Sequence, residues 1–252
     1  NALQARLLTL YQNSNLELNL FTNRKQYMIE PSSKQKEYLR AIEKHDLCFL
    51  TGAAGTGKTY IACSSALHFL EKGAVDKIVI TRPLVATEEV GFLPGTLEEK
   101  ISPFMDPILG LLAEIYDSKS IKKMVEEGAI ESAPLAYMRG RTFKDSFVIL
   151  DEAQNTTKAQ ISMFLTRFGI NTKACVVGDL KQSDLVNPRD NGLRWARKKL
   201  TPSTYVTNVE FDDSSVVRSP LVKDIMRYLY ADEETQNTAQ VLEAAGLERF
   251  RA

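Results

Sequence analysis

Short, unbroken apolar runs alternate along this chain with longer stretches in which apolar residues recur every three or four positions. Leu47-Cys48-Phe49-Leu50, Ile78-Val79-Ile80, Phe147-Val148-Ile149-Leu150 and Ala174-Cys175-Val176-Val177 carry no polar residue on either face. That is the pattern of strands buried on both sides in a parallel sheet. Between them lie helical periodicities. Pro31-Ser32-Ser33 starts a helix over about 34–43 that turns Tyr38, Leu39 and Ile42 inward. Ile61, Ala62, Ala66, Leu67 and Phe69 make the next helix apolar on much of its circumference, and Gly73 ends it. Residues 97–127 read as mostly helical, with Pro103 and Pro107 predicting starts or a kink rather than one straight rod. Thr157-x-x-Gln160 is a capping box; its helix carries Ile161, Phe164, Leu165 and Phe168 on one face and closes at Gly169. Ile130 to Pro134 reads as an edge strand, Gly192 starts a helix, Tyr205 to Phe211 alternates as a strand, and a helix follows through Tyr230. The first 20 residues read as a helix and a short strand. This alternation predicts a single doubly wound α/β domain with a mainly parallel central sheet and a helical insertion.

Candidate chemistry sits at the ends of the apolar runs, where open parallel sheets gather their ligands. After Leu50 comes Gly52-Ala53-Ala54-Gly55-Thr56-Gly57-Lys58-Thr59, which fits G-x-x-x-x-G-K-S/T between a strand and a helix. Its glycines allow positive φ, so backbone N–H groups turn onto phosphate oxygens at the positive end of the new helix. Lys58 is expected to reach the β- and γ-phosphates of ATP, and the Thr59 hydroxyl to hold Mg²⁺. After Leu150 come Asp151, placed for the Mg²⁺ shell, and Glu152, placed to orient and deprotonate an attacking water. After Val177 comes Gly178-Asp179-Leu180-Lys181-Gln182, where Gln182 is either a γ-phosphate and water contact or part of a polar turn. Arg218 is a candidate arginine finger, in its own subunit or across an interface. Gln35 offers donors and an acceptor suited to adenine, although a solvated first-turn glutamine is the plainer reading. Arg82 ends the second apolar run, Phe92 lies in Gly91-Phe92-Leu93-Pro94-Gly95, and Arg139 and Arg141 are interleaved with aromatics. These four are candidate contacts to a nucleic-acid strand, against surface ion pairs and an ordinary amphipathic loop.

Composition narrows the partners less than the motifs do. Lys plus Arg and Asp plus Glu both number 32, so net charge marks the chain neither as a nucleic-acid binder nor as a membrane-surface protein. Cys48, Cys63 and Cys175 lack metal-type spacing and sit within apolar patterns, as reduced core thiols of a cytoplasmic protein do. With His45 and His68 as its only histidines, the chain has little material for a histidine triad or a zinc centre. No run approaches the roughly 20 apolar residues of a membrane span.

GAAGTGKT, TRPLVATEEVGFLPG, AYMRGRTF, VILDEAQN, GDLKQSDL and VVRSPLV, in this order, resemble the PhoH family of P-loop ATPases from about Gln35 to Tyr230. The resemblance implies a RecA-like P-loop NTPase domain over 34–231, an N-terminal extension over 1–33 and a tail over 232–252. It is similar to the first motor domain of superfamily 1 helicases, which implies adenine recognition by Gln35, γ-phosphate sensing by Gln182 and a finger role for Arg218. It further implies single-stranded RNA as partner and a homo-oligomeric ring, often a hexamer, that puts the finger in trans. Neither a second RecA-like domain nor a PIN nuclease domain is readable here, so movement along a strand is expected to need neighbouring subunits. The expected function is Mg²⁺-dependent ATP hydrolysis coupled to RNA binding or remodelling. The alternatives are a nucleotide-switched scaffold that docks a ribonuclease or ribosome-associated factor, and a small-molecule kinase.

Overall fold

The computed structural model describes residues 33–84 and 97–211, all within one compact unit. In chain order the elements are α1 (Ser33–Lys44), β1 (Leu47–Gly52), α2 (Lys58–Glu71), β2 (Lys77–Arg82), α3 (Leu97–Ile115), α4 (Ser118–Glu126), β3 (Ile130–Pro134), β4 (Ser146–Leu150), α5 (Lys158–Leu165), β5 (Thr172–Gly178), α6 (Gly192–Leu200) and β6 (Val206–Phe211). Short 3₁₀ turns at Leu135–Met138, Ala153–Asn155 and Pro188–Asp190 connect them.

The strands form one sheet in the order β3-β2-β4-β5-β1-β6, and every pairing is parallel. Side chains leave a strand alternately on its two faces, and the two cores divide accordingly. Cys48, Leu50, Ile78, Ile80, Phe147, Ile149, Cys175 and Val177 pack on one face beneath α1, α2, α3 and α4. Leu47, Phe49, Val79, Val148, Leu150, Ala174 and Val176 pack on the other, with Ile161 and Phe164 of α5 and Leu193 and Ala196 of α6. Central strands sandwiched this way need apolar residues at every position. The edge strands β3 (IESAP) and β6 (VTNVEF) keep polar residues.

Two helix boundaries sharpen the periodic reading: neither proline starts a new helix, and α5 ends before Gly169. Pro103 and Pro107 both lie inside the single helix α3. Each removes one ladder hydrogen bond, and burial of Met105, Ile108 and Leu112 against the sheet outweighs that loss. The break falls instead before α4, whose N-cap Asp117 accepts hydrogen bonds from the N–H groups of Lys119 and Ser120. Helix α5 has its capping box but stops at Leu165 rather than Gly169. There the Thr166 hydroxyl donates to the Ser162 and Met163 carbonyls at 3.0 and 2.9 Å. Phe168 leaves the helix to bridge Phe143. Gly169 serves that approach rather than a left-handed cap, because a Cβ there would lie 2.6 Å from the Phe143 carbonyl oxygen.

All three cysteines are buried and free. Burial pushes the Cys48 thiol up to about 12 and raises Cys63 and Cys175 as well. None is a ready nucleophile. The expected features at 1–32, at Gly91–Gly95 with Phe92, and from 212 onward, including Arg218 and the tail, lie outside the described residues.

Helix α6 starts against α5 with no room to spare: a Cβ on Gly192 would lie 2.4 Å from the Thr157 carbonyl oxygen and 2.9 Å from Ile161 Cγ2. Gly192→Ala is therefore expected to destabilise the domain by about 1–3 kcal/mol, the usual range for overpacking. A urea denaturation midpoint equal to that of the parent protein would overturn this.

Candidate functional site: a phosphate cradle beside two carboxylates

Because the sheet is parallel, the carboxyl ends of β1, β2, β4 and β5 open on one side, and each delivers a polar segment there. The segment after β1 turns at Gly57, whose left-handed conformation (φ 83°) starts α2 with no side-chain cap and no acidic residue in the first turn. No capping side chain and no first-turn carboxylate therefore compete with an anion for the positive end of that 14-residue helix. Gly52 is fixed by a close neighbour: its φ is 145°, and a Cβ would lie 2.6 Å from the Phe211 carbonyl oxygen on β6. The Lys58 ammonium is buried within the loop, donating to the Gly52 and Ala53 carbonyls at 2.8 and 2.6 Å. Thr56 Oγ1 donates to the Ala53 carbonyl at 2.8 Å, which tightens the same turn.

Asp151 is 1% exposed. Its Oδ1 accepts from the Thr59 hydroxyl at 3.0 Å, and its Oδ2 accepts from Arg82 Nε at 2.9 Å and Nη2 at 2.5 Å. Thr59 and Asp151 thus bring two hard oxygens together. Among the described residues no group of three or more His, Cys, Asp or Glu is placed to hold a metal. A pair of protein oxygens supplemented by phosphate and water is what Mg²⁺ takes in nucleotide sites, so the donor set fits that ion. Glu152 is exposed and left-handed at φ 53°, an uncommon conformation for a side-chain-bearing residue. It turns the carboxylate out of the strand line, where Gln154 Nε2 donates to it at 2.5 Å.

A cleft of about 320 Å³ joins these parts. Ala54, Gly55, Gly57, Lys58 and Thr59 line one side; Asp151, Glu152 and Gln154 another; Gly178, Asp179 and Gln182 a third, with Tyr60 and Leu111 closing it. Gln35 approaches the loop from α1: its Nε2 lies 3.6 Å from where a Gly57 Cβ would stand. The strand-contact candidates are placed differently. Arg82 is committed to Asp151 and, through Nη1, to the Phe104 carbonyl at 3.1 Å. Arg141 pairs both terminal nitrogens with Glu131, which holds that carboxyl below its ordinary range, and its guanidinium carbon lies 6.0 Å from the Phe143 ring centre. Arg139 and its neighbour Tyr137 are exposed.

Residues 28–230 match the family described as PhoH-like protein. The chain belongs to the PhoH family. It is 47% identical over 193 residues to a PhoH-like protein of Bacillus subtilis, covering 76% of this chain and 60% of that one. Against a PhoH-like protein of Synechocystis the identity is 43% over 219 residues, covering 86% and 66%. Against Escherichia coli protein PhoH it is 44% over 190 residues, covering 74% and 54%. The chain thus spans between about half and two thirds of the length of these relatives. Among solved structures, Pif1 helicase from Candida albicans aligns with a TM-score of 0.38 and 15% identity over 73% of this chain and 40% of that one. Bacteroides Pif1 bound to ssDNA aligns at 0.30 and 13%, over 71% and 42%.

One part of this PhoH-family site carries no signal beyond a buried polar residue near an acidic pair. Gln154, two residues past Glu152, is 5% exposed. Its Nε2 holds the Glu152 carboxylate and its Oε1 accepts from the Asp179 N–H at 3.1 Å. Its carbonyl accepts from the Ser183 hydroxyl and from Asn191 Nδ2, both at 3.0 Å. Asn155 and Asp184 exchange two further bonds at 3.0 and 2.9 Å. The segment after β4 and the segment bearing Gln182 are therefore one hydrogen-bonded unit. Gln154→Leu, close to glutamine in size, leaves the buried Asp179 N–H without its acceptor and is expected to lose about 1–3 kcal/mol of stability. The check is the chemical denaturation midpoint, and an unshifted one would refute the role given to Oε1.

Proposed function

We propose that this PhoH-family domain hydrolyses ATP with Mg²⁺ and couples turnover to single-stranded RNA. The observation that carries the reading is the convergence of Lys58, Thr59, Asp151, Glu152 and Gln182, from three separate strand ends, on one cleft at the uncapped start of α2. The α2 N–H groups and the Lys58 ammonium bind and orient the triphosphate. Bound Mg²⁺ would neutralise charge on the β- and γ-phosphate oxygens, with Thr59 and Asp151 holding it. Glu152, turned into the cleft and tied to Gln154, orients the attacking water and takes its proton. Gln182, on the unit that Gln154 anchors, senses the γ-phosphate. Gln35 beside Gly57 suits an adenine contact. With Arg218 as a finger from a neighbouring subunit in a ring, often a hexamer in this family, hydrolysis would be completed in trans.

RNA coupling rests on the family resemblance, with Arg139 and Tyr137 as the exposed cation and ring that suit a strand. Arg82 and Arg141 contribute less to that reading, since carboxylates hold both. Among the described residues no helix is long and apolar enough to cross a membrane.

Glu152→Gln is expected to retain ATP binding while losing at least about 100-fold in turnover, the scale of a general base. Near-normal hydrolysis would remove Glu152 from that role. Single-stranded RNA is expected to raise the ATPase rate of the parent protein. A rate indifferent to RNA, together with ATP-dependent capture of a ribonuclease, would favour the scaffold reading, and a phosphorylated small molecule would favour a kinase.

A further inference from the structure

The guanidinium on Asp151 has no part in the phosphate chemistry described above, yet it is hydrogen-bonded to the carboxylate assigned to the metal. Its position follows from the sheet. Strands β2 and β4 pair in parallel with Thr81 opposite Leu150, and the Asp151 N–H donates to the Thr81 carbonyl at 2.9 Å. Arg82, the last residue of β2, therefore stands beside Asp151. Its three nitrogens all turn inward, Nε and Nη2 to Asp151 Oδ2 and Nη1 to the Phe104 carbonyl of α3. The Asp151 side chain is 2% exposed and that of Arg82 20%. Water therefore screens the pair weakly.

Thr59 and Asp151 by themselves would hold a divalent cation only weakly, because two protein oxygens leave most of its coordination shell to water. A cation arriving without nucleotide would also meet the charge of Arg82 at hydrogen-bonding distance from the same carboxylate. We propose that Arg82 is a resident counter-ion that keeps free divalent cation off the Thr59–Asp151 pair, so that the ion enters only with the charge of a bound nucleotide. The bond to Phe104 also links the same arginine to α3, which supplies Leu111 to the cleft wall. This inference rests on the phosphate-loop reading of the site. It makes Arg82 a positioning residue that sets the order of metal and nucleotide binding rather than a strand contact. A purely structural ion pair would leave the metal affinity of the nucleotide-free protein unchanged when it is removed.

The test uses Mn²⁺ as a paramagnetic probe with the full chain and no nucleotide, free ion being read from its solution resonance. The parent protein is expected to show no saturable Mn²⁺ binding in the range where Arg82→Gln does. Arg82→Gln should bind at least about tenfold more tightly, since removing a unit charge this close to a divalent ion changes affinity by that much even under strong screening. Arg82→Gln/Asp151→Asn should lose the gain, and Arg82→Lys, which keeps the charge, should behave like the parent. Equal Mn²⁺ binding by Arg82→Gln and the parent, or a gain that survives in the double variant, overturns the proposal. If Arg82→Gln is too unstable for titration, its thermal midpoint should rise with added Mn²⁺ while that of the parent does not; a midpoint that fails to rise counts equally against it. ATP binding by the parent is measured in parallel. Loss of that signal removes the phosphate-loop reading itself, whereas its presence with unchanged Mn²⁺ binding removes the role of Arg82 alone.

Discussion

A carboxylate held away from water has to be paired, and the arrangement of this domain can be followed outward from the one at Asp151. An ionised side chain buried without partners would be costly enough to shift its protonation or unfold its surroundings. Asp151 is paired with three donors from two other strand ends: the Thr59 hydroxyl past β1, and two guanidinium nitrogens of Arg82 ending β2. These partners reach it because all the strands run in parallel and finish on the same side. Antiparallel pairing of β2 with β4 would carry Arg82 to the opposite edge of the sheet and leave the carboxylate without its strongest partner.

From Asp151 the chain makes an abrupt exit. Glu152 takes a left-handed conformation and leads into the 3₁₀ turn Ala153–Asn155, whose side chains face the segment after β5. A residue held in such a conformation stores of order 1–3 kcal/mol of strain, and it persists only where the surroundings over-determine it. Here they do. The Gln154 amide holds the Glu152 carboxylate with one end and the Asp179 N–H with the other, and its carbonyl takes bonds from Ser183 and Asn191. A displacement of the Gln182-bearing segment would be felt at Glu152 through two hydrogen bonds of a single side chain. In the proposed mechanism that is the physical link by which a group touching the γ-phosphate would bias the base.

The sheet was legible in the sequence because strands covered on both faces cannot hide their pattern; Phe147 to Leu150 needs to be apolar throughout to sit between two helical layers. The phosphate loop and the Asp151–Glu152 pair were legible for a related reason, since each breaks an apolar run at its carboxyl end. The Arg82–Asp151 pair was not. Its members lie 69 positions apart, and their meeting depends on the β2–β4 register, which no local pattern encodes. Gln154 was not legible either, because a glutamine beyond a strand end reads the same whether it faces solvent or bridges two segments. The end of α5 at Leu165 was not legible because a hydroxyl took up the final carbonyls, and at Pro103 and Pro107 core burial outweighed the tendency to start a new helix.

The phosphate loop settles the ligand class but not what becomes of the nucleotide, and the sheet order bears on that second question. β5 lies between β1 and β4, so the carboxylate strand stands two strand widths, about 10 Å, from the loop strand. That gap could have been filled by side chains at the end of β5. Instead β5 ends at Gly178, where a Cβ would lie 2.6 Å from Leu193 Cδ2 and 2.7 Å from Gln154 Oε1. The glycine leaves the passage through which Gln154 reaches Asp179, and Val177, Gly178 and Asp179 form part of the cleft lining. A bulkier residue would separate Glu152 from the Gln182 segment while leaving Lys58 and Thr59 untouched. The domain would then keep its phosphate cradle and lose the connection between the proposed sensing and hydrolysis groups. Gly178 and Gln154, more than the loop itself, therefore distinguish a proposed hydrolysis site from a nucleotide-binding turn.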